Sequence, residues 1–420
     1  MKICINSEFG KLEGVIMHRP GSEVENMTPE NAERALYSDI LNLSIASREF
    51  AQLEGVLQKV TNVFFVADLL TDILGNESVR LALLDKVCRL EGSVCKITDL
   101  NAYSAPDIAK FLIEGIVLEK NNLTSYLSGE RFLMRPLHNL FFTRDPAMGM
   151  NNHMLIGKMA NPVRERETVI MEAIFKHHRN FDTKILNPAS PEPGIHLSEK
   201  ATIEGGDFLV ARNNVFIIGT GVRTSTQGID FIIENIKNKK ADTYHIIVQE
   251  LPHTPESFIH LDMVFTLLNF DNCIVYEPVV LKMNRLRTIH IQIENHSVTK
   301  IEEVPNIISA MKNLGMDVKP VFCGGKTDSW FQEREQWHSG ANFFAFAPGK
   351  IIGYERNSHT IEALDKEGYA VLKATDVISG QVSVEDYDKC VVSIAGSELA
   401  RGGGGARCMT TPVRRSEISW

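Results

Sequence analysis

Four short groupings in the 420-residue chain hold side chains able to do acid–base, nucleophilic or cation-binding chemistry. They are Asn139-Leu-Phe-Phe-Thr-Arg-Asp145, Glu204-Gly-Gly-Asp207, His260-Leu-Asp262 and Arg401-Gly-Gly-Gly-Gly-Ala-Arg407-Cys408. A histidine two residues from an aspartate on an extended strand shares its face. Such a histidine can hold or release a proton near neutral pH, although most His-x-Asp triplets are structural. Glu-Gly-Gly-Asp alone reads as a turn with solvated acids. Cys408 follows four glycines and Arg407. Glycines let the backbone approach a ligand closely, and a neighbouring cation favours thiolate, the nucleophilic form. A phosphate loop is excluded because no Gly-Lys-Ser/Thr follows the glycines. No Cys or His stands at zinc-ligand spacing from Cys408, so neither a metal nor an organic cofactor is expected.

These groupings fall on a degenerate repeat. Asp145 precedes Asn151-Asn152, a short apolar run to Gly157, Arg164, and an amphipathic segment from Glu167 to about His177. Asp207 precedes Asn213-Asn214, Val215–Ile218, Gly219, Arg223 and an amphipathic segment to about Lys237. Glu335 opens a third copy, with Phe343–Phe346, Pro348-Gly349, Gly353, Arg356 and a helical pattern to Asp365. A fourth begins at Asp262, turning at Asp271-Asn272, and the run Gly14–Arg19 belongs to a fifth. Each copy reads as strand, tight turn, strand, helix, because Asn-rich and Pro-Gly pairs between short apolar runs signal hairpins. Units of this kind stack radially or in solenoids. In a radial array, matching strand ends would bring their polar residues to one place.

Residues 71–135 break the pattern. Apolar positions recur there at three and four, with Asn/Ser and Pro-Asp starts and Gly stops, which predicts an all-helical insertion between 1–70 and 136–420. Net charge is −9 and 23% of residues are charged, which argues against a general nucleic-acid or anionic-membrane binder. Seven cysteines without a CxxC pair fit a reducing compartment with buried thiols. The N-terminus lacks a signal-peptide run and no stretch reaches the length of a membrane span. A cytoplasmic location is expected.

The motifs NLFFTRDP, RERET, EGGD, HLDMVF, EREQW, IIGYERN and ARCMTTP, in that order and spread over essentially the whole chain, resemble those of the arginine deiminases within the guanidine-modifying family. The resemblance implies an α/β fold, a five-fold pseudosymmetric α/β propeller with an inserted helical bundle, and hydrolysis of free L-arginine to citrulline and ammonia. It implies that Cys408 is the nucleophile and His260 the general acid/base. Asp145 and Asp262 would hold the guanidinium, whose planar fork suits paired carboxylates. Glu204 would orient the site, and Asn139, Arg164 and Arg223 would grip the substrate α-carboxylate. Many family members carry a gating arginine where this chain has Gly403, which leaves the closing of the site to Arg401 or Arg407. The loop Arg401–Arg407 is expected to be mobile without substrate. The family also often has Pro at the position of His138 and His at that of Phe50.

Two other readings compete. A guanidine hydrolase or amidinotransferase acting on agmatine or a methylated arginine would share the motifs, but Arg164 and Arg223 would have no carboxylate to bind in agmatine. A catalytically silent arginine-binding homologue would not need the full set Asp145, Glu204, His260, Asp262 and Cys408. The expected partner is the small molecule L-arginine, with further copies of the chain left open and neither nucleic acid nor membrane expected.

Overall fold

The computed structural model describes residues 1–28, 32, 39–92, 97–195, 198–238 and 243–420, with 97 and 98 described by their backbone alone. Five sheets in it repeat one pairing scheme, in which an antiparallel pair is extended by a strand parallel to its second member. Ala147–Met150 pairs antiparallel with His153–Ile156, which pairs in parallel with Lys184–Leu186. Phe208–Arg212, Val215–Thr220 and Tyr244–Glu250 repeat this arrangement. Phe265–Leu267, Asn272–Val275 and Lys319–Phe322 repeat it again, as do Phe344–Ala347, Lys350–Tyr354 and Cys390–Ile394. In the remaining sheet Leu12–Met17 pairs antiparallel with Thr411–Arg415 and parallel with Asn62–Phe65, so its hairpin is assembled from both ends of the chain.

A helix crosses over within each unit between the parallel strands, as parallel pairing requires. These helices are Leu43–Val60, Glu165–His177, Thr226–Lys237, Ile307–Asn313 and Ser358–Lys366. Local side-chain chemistry starts three of them. The side chains of Asn42, Ser225 and Asn306 each accept a bond from a first-turn N–H of their helix, satisfying donors the helix itself leaves open. The turns obey the same logic. Asn151 sits at φ 58 and Gly349 at φ 72, conformations that Asn and Gly tolerate. Both faces of the central strands are buried; Val215, Phe216, Ile217 and Ile218 have no exposed surface. That accounts for their continuous apolar runs.

The sheet of Phe208–Arg212, Val215–Thr220 and Tyr244–Glu250 carries two additional strands, Thr288–Glu294 and Ser297–Val304, which extend it beyond Tyr244–Glu250. Residues 71–135 hold the helices Glu77–Glu91 and Ala105–Glu114, and the first helix of this layer already begins at Val66. The stretch is not wholly helical: Ile116–Val117 and Phe132–Met134 form a small antiparallel ladder. Leu70, Leu84, Ile108 and Leu112 pack there against Ile170, Met171 and Ile174 of the helix Glu165–His177. Among the described residues every cysteine is a free thiol, and Cys95 lies outside them. No helix among the described residues is long and apolar enough to cross a membrane.

Candidate functional site

The repeat fixes where polar side chains gather. Asp145, Asp207, Asp262, Asn342 and Cys408 each stand one to three residues before the first strand of a unit. Spacing along the chain puts Glu335 at this position of the unit that begins at Phe344, whereas the fold puts Asn342 there. Glu335 instead caps the helix Ser358–Lys366, accepting from His359 N and Thr360 N, both at 2.8 Å. Asn342 was missed because its run of neighbours, Gly-Ala-Asn-Phe-Phe, carries no charge; its matching position in the repeat was the available signal.

Cys408 is 4% exposed, and its Sγ lies 3.8 Å from Asp262 Oδ2 and 3.2 Å from Asn342 Nδ2. Burial pushes the thiol well above its ordinary range, and the carboxylates of Asp262 and Asp145 push the same way, whereas Arg407 pulls it down. Without a further cation the sulfur is therefore a thiol. Asp262 is fully buried; its Oδ2 receives Arg407 Nη1 at 2.7 Å, while its Oδ1 has no hydrogen-bond partner among the described residues.

His260 lies opposite. Its Nε2 is 3.0 Å from Glu204 Oε2 and its Nδ1 is 3.7 Å from Asp145 Oδ1. Burial alone would lower the imidazole, but Asp145, the bond to Glu204 and Asp207 outweigh it and push His260 up to about 9. Glu204 moves the other way. Burial would raise it, yet the bond to His260 and the charge of Arg223 hold it below the usual carboxylate range. Glu204 also accepts from Ala160 N at 2.9 Å, which anchors it to the loop before Arg164. The pair is thus an imidazolium held between carboxylates, a proton donor at neutral pH. Gly206 backs this group. A Cβ there would fall 2.4 Å from His260 Nδ1, so the Gly-Gly of the motif leaves room for the ring.

The expected substrate-binding residues divide. Arg164 is 4% exposed and its donors are taken, by Asp145 Oδ2 at 2.7 Å and by both oxygens of Glu167. Arg223 is more open and meets Glu204 Oε2 at 3.4 Å. Asn139 is 7% exposed, and its carbonyl oxygen lies 3.5 Å from Arg164 Nη2. Gly403 ends a short 3-10 turn at φ 81, and nothing lies within 4 Å of where its Cβ would be. Arg401 points away from Asp262, bonding Asp39 and Glu398. His138 bonds the Glu23 carbonyl oxygen, and Phe50 is buried in the core beneath Leu53 and Val56.

Sequence spacing shows no metal-ligand cluster, but the fold brings ligand atoms of Asp145, Glu204 and His260 within 4.8 Å of one another. Arg164 and Arg223 already supply positive charge to these carboxylates, and His260 holds its proton, so the donor set suits an organic cation better than a metal.

The family model described as arginine deiminase matches residues 33–415. This chain belongs to the arginine deiminase family. It is 31% identical to the arginine deiminase of Oenococcus oeni over 440 residues, covering 99% of this chain and 98% of the relative. The arginine deiminase of Levilactobacillus brevis is 32% identical over 433 residues, with 99% of each chain covered. Among solved structures, the N-terminal domain of ArgZ, an arginine dihydrolase from cyanobacteria, superposes with a TM-score of 0.53 at 13% identity, covering 96% of this chain and 97% of that one. An amidinotransferase from Microseira wollei gives a TM-score of 0.53 at 12% identity, covering 99% and 98%. At such low identity these two likenesses establish a shared mixed α/β fold.

Proposed function

We propose that this arginine deiminase family member hydrolyses free L-arginine to L-citrulline and ammonia through an amidino–thioether on Cys408. The observation that carries the reading is Asp262 Oδ1, a fully buried carboxylate oxygen without a partner among the described residues, on a side chain whose other oxygen lies 3.8 Å from the Cys408 sulfur. Leaving such an oxygen unbonded costs roughly 1–3 kcal/mol or more. A substrate guanidinium offers it an N–H beside the nucleophile.

In the first half-reaction a guanidinium lies between Asp145 and Asp262. Its charge opposes the carboxylates that keep Cys408 protonated, so binding favours the thiolate and the thiol proton passes to solvent. Sulfur forms a bond to the guanidinium carbon, the carbon–nitrogen bond breaks, and His260 supplies a proton to the departing ammonia. In the second half-reaction His260 takes a proton from water, the oxygen bonds to the carbon, the carbon–sulfur bond breaks to release the thiolate, and the remaining hydroxyl proton is lost to solvent as the citrulline carbonyl forms. Glu204 keeps the imidazole oriented through both steps. Arg223, with Asn139, receives the α-carboxylate, and Arg164 holds Asp145 from behind. Cofactor chemistry has no step to fill here.

The repeated pairing scheme supports closure of the five sheets into a five-fold propeller. Residues 1–70 and 136–420 would form it, with 71–135 as an inserted helical module. Purified protein incubated with arginine, agmatine and methylarginine, followed by citrulline colorimetry, tests the substrate. Acid quench during turnover should leave a mass increment on the peptide containing Cys408. Wild-type turnover by Cys408→Ala would refute the mechanism.

A further inference from the structure

Asn342 touches the reacting sulfur, and neither the motifs nor the family resemblance assigned it a role. It is 1% exposed. Its Oδ1 accepts from Arg407 N at 3.1 Å and from Cys408 N at 3.2 Å. Its Nδ2 lies 3.2 Å from Cys408 Sγ and 3.3 Å from the carbonyl oxygen of Asp262. The surroundings dictate which way this amide faces. Backbone N–H groups only donate and a carbonyl only accepts, so the oxygen must face Arg407 and Cys408 and the nitrogen must face Asp262. The group presented to the sulfur is therefore an N–H donor. One amide hydrogen goes to the Asp262 carbonyl and the other to the sulfur, which uses the full capacity of the side chain.

The loop is shaped for this contact. A Cβ on Gly405 would fall 2.7 Å from both the carbonyl oxygen and the Oδ1 of Asn342, so glycine there permits the approach. Tyr354 donates to the Gly404 carbonyl oxygen at 2.9 Å and holds the loop from the other side. The asparagine thus ties together two residues separated by 146 positions, Cys408 and the main chain of Asp262.

We propose that Asn342 is a catalytic residue, whose Nδ2–H stabilises the Cys408 thiolate while its Oδ1 holds the loop that carries the sulfur. A hydrogen bond to an ionised acceptor is about twice as strong as one to its neutral form. The contact therefore favours thiolate over thiol. It works against burial and the two nearby carboxylates, which favour the thiol. An aspartate in this position would keep the oxygen that accepts from the backbone but would replace the donor with repulsion. A purely structural clamp would lose the bond to the Asp262 carbonyl oxygen, and stability with it, but the pH profile of the sulfur would stay the parent's. The role in turnover rests on the deiminase reading; the effect on the sulfur does not.

The test is the pH dependence of Cys408 alkylation by iodoacetamide, followed by peptide mass spectrometry on the full-length protein. Asn342→Asp and Asn342→Ala are compared with the parent, alongside citrulline formation from arginine. Both variants should alkylate Cys408 about tenfold more slowly at pH 8, and Asn342→Asp should lose at least about tenfold in kcat while KM for arginine stays within about twofold. An Asn342→Asp protein with the parent's alkylation profile would overturn the proposal. Absence of citrulline from the parent would instead count against the deiminase reading, with the alkylation profile still deciding the role of Asn342. Should neither variant fold, the parent labelled with 15N-asparagine supplies a second measurement. The side-chain amide signal that responds to Cys408 alkylation should also move as Cys408 titrates, and a signal that stays fixed would refute the contact's role.

Discussion

The guanidinium of Arg407 lies 2.7 Å from Asp262, on the carboxylate proposed to receive the guanidinium of the substrate. Arg407 is 1% exposed and also binds Glu8 at 3.1 Å and the Phe208 carbonyl oxygen at 2.9 Å. A side chain held on three sides is a fixed counter-ion for Asp262 Oδ2, and Oδ1 has no hydrogen-bond partner among the described residues. Arg407→Ala should destabilise the fold by about 3–5 kcal/mol, because Glu8 and Asp262 would remain buried without their cation. Arg401→Ala removes a partly exposed pair with Asp39 and should cost about 1 kcal/mol or less. Urea unfolding of both variants checks this. Equal losses would show that Arg407 is not the buried counter-ion.

Arg164 and Arg223 should separate in mutation. Arg164 is bound to Asp145 and Glu167 within the protein, so Arg164→Ala should lower stability as well as turnover. Arg223 is freer to meet a ligand, and Arg223→Ala should reduce kcat/KM for arginine by on the order of 2–5 kcal/mol, chiefly through KM, with little change in unfolding midpoint. Steady-state kinetics beside thermal melting tests the division. If Arg223→Ala leaves KM for arginine unchanged, the α-carboxylate is held elsewhere.

His260 imposes an alkaline limit. Its folded-state value of about 9 lies above the ordinary histidine value of 6.5. The folded protein therefore holds a proton that the unfolded chain releases. The resulting stability is full below pH 6.5 and is lost as pH rises through about 9, on the order of 3 kcal/mol in all. Denaturant midpoints measured from pH 6 to 9.5 should fall along that range in the parent and less steeply in His260→Gln. Identical slopes would contradict the charged pair with Glu204.

His245 and His290 set a limit on the acid side. Their rings meet through His245 Nδ1 and His290 Nε2 at 3.0 Å, a contact that needs one proton and cannot hold two. Burial, His290 and Arg212 lower His245 to about 4, partly offset by Glu294. The unfolded chain takes up this proton first, so stability present above pH 6.5 is lost as pH falls toward 4. His245 is only partly buried, which keeps the effect small. His245→Gln should flatten the decline in urea midpoint between pH 6.5 and 4.5. A decline as steep as the parent's would assign acid sensitivity to other groups.

The glycine loop should behave as two segments. Glu49 accepts from the N–H groups of Ser397, Glu398 and Leu399, and Gly404 and Gly405 lie against Phe142 and Asn342. Arg401 and Gly403 are exposed between these anchors. Hydrogen exchange should find 404–408 protected with or without arginine, with any substrate-dependent change confined to 401–403. Equal exchange throughout 401–408 in the empty protein would restore the mobile lid that four consecutive glycines suggest. Gly403→Arg has space for its side chain but must adopt φ 81, which costs about 1–2 kcal/mol, so reduced stability should accompany any change in KM.

The amino-acid sequence by itself determined the repeat, because hairpin turns and capping residues act over a few positions. Asn151, Gly349 and Asn42 take the local conformations their side chains favour. It also carried the motifs around Asp145, Glu204, His260, Asp262 and Cys408. Only the tertiary structure decided which arginine pairs with Asp262, since Arg401 and Arg407 flank the same glycines and differ in what packs around them. It also placed Leu12–Met17 beside Thr411–Arg415, completing a sheet from strands some 400 residues apart that leave no shared local pattern. The roles of Glu335 and Asn342 were decided in the same way. Both are polar residues near the start of one unit, but Glu335 faces the N–H groups of a helix and Asn342 faces the Cys408 sulfur. That direction is set by the packing of neighbouring units, a long-range property that spacing along the chain does not encode.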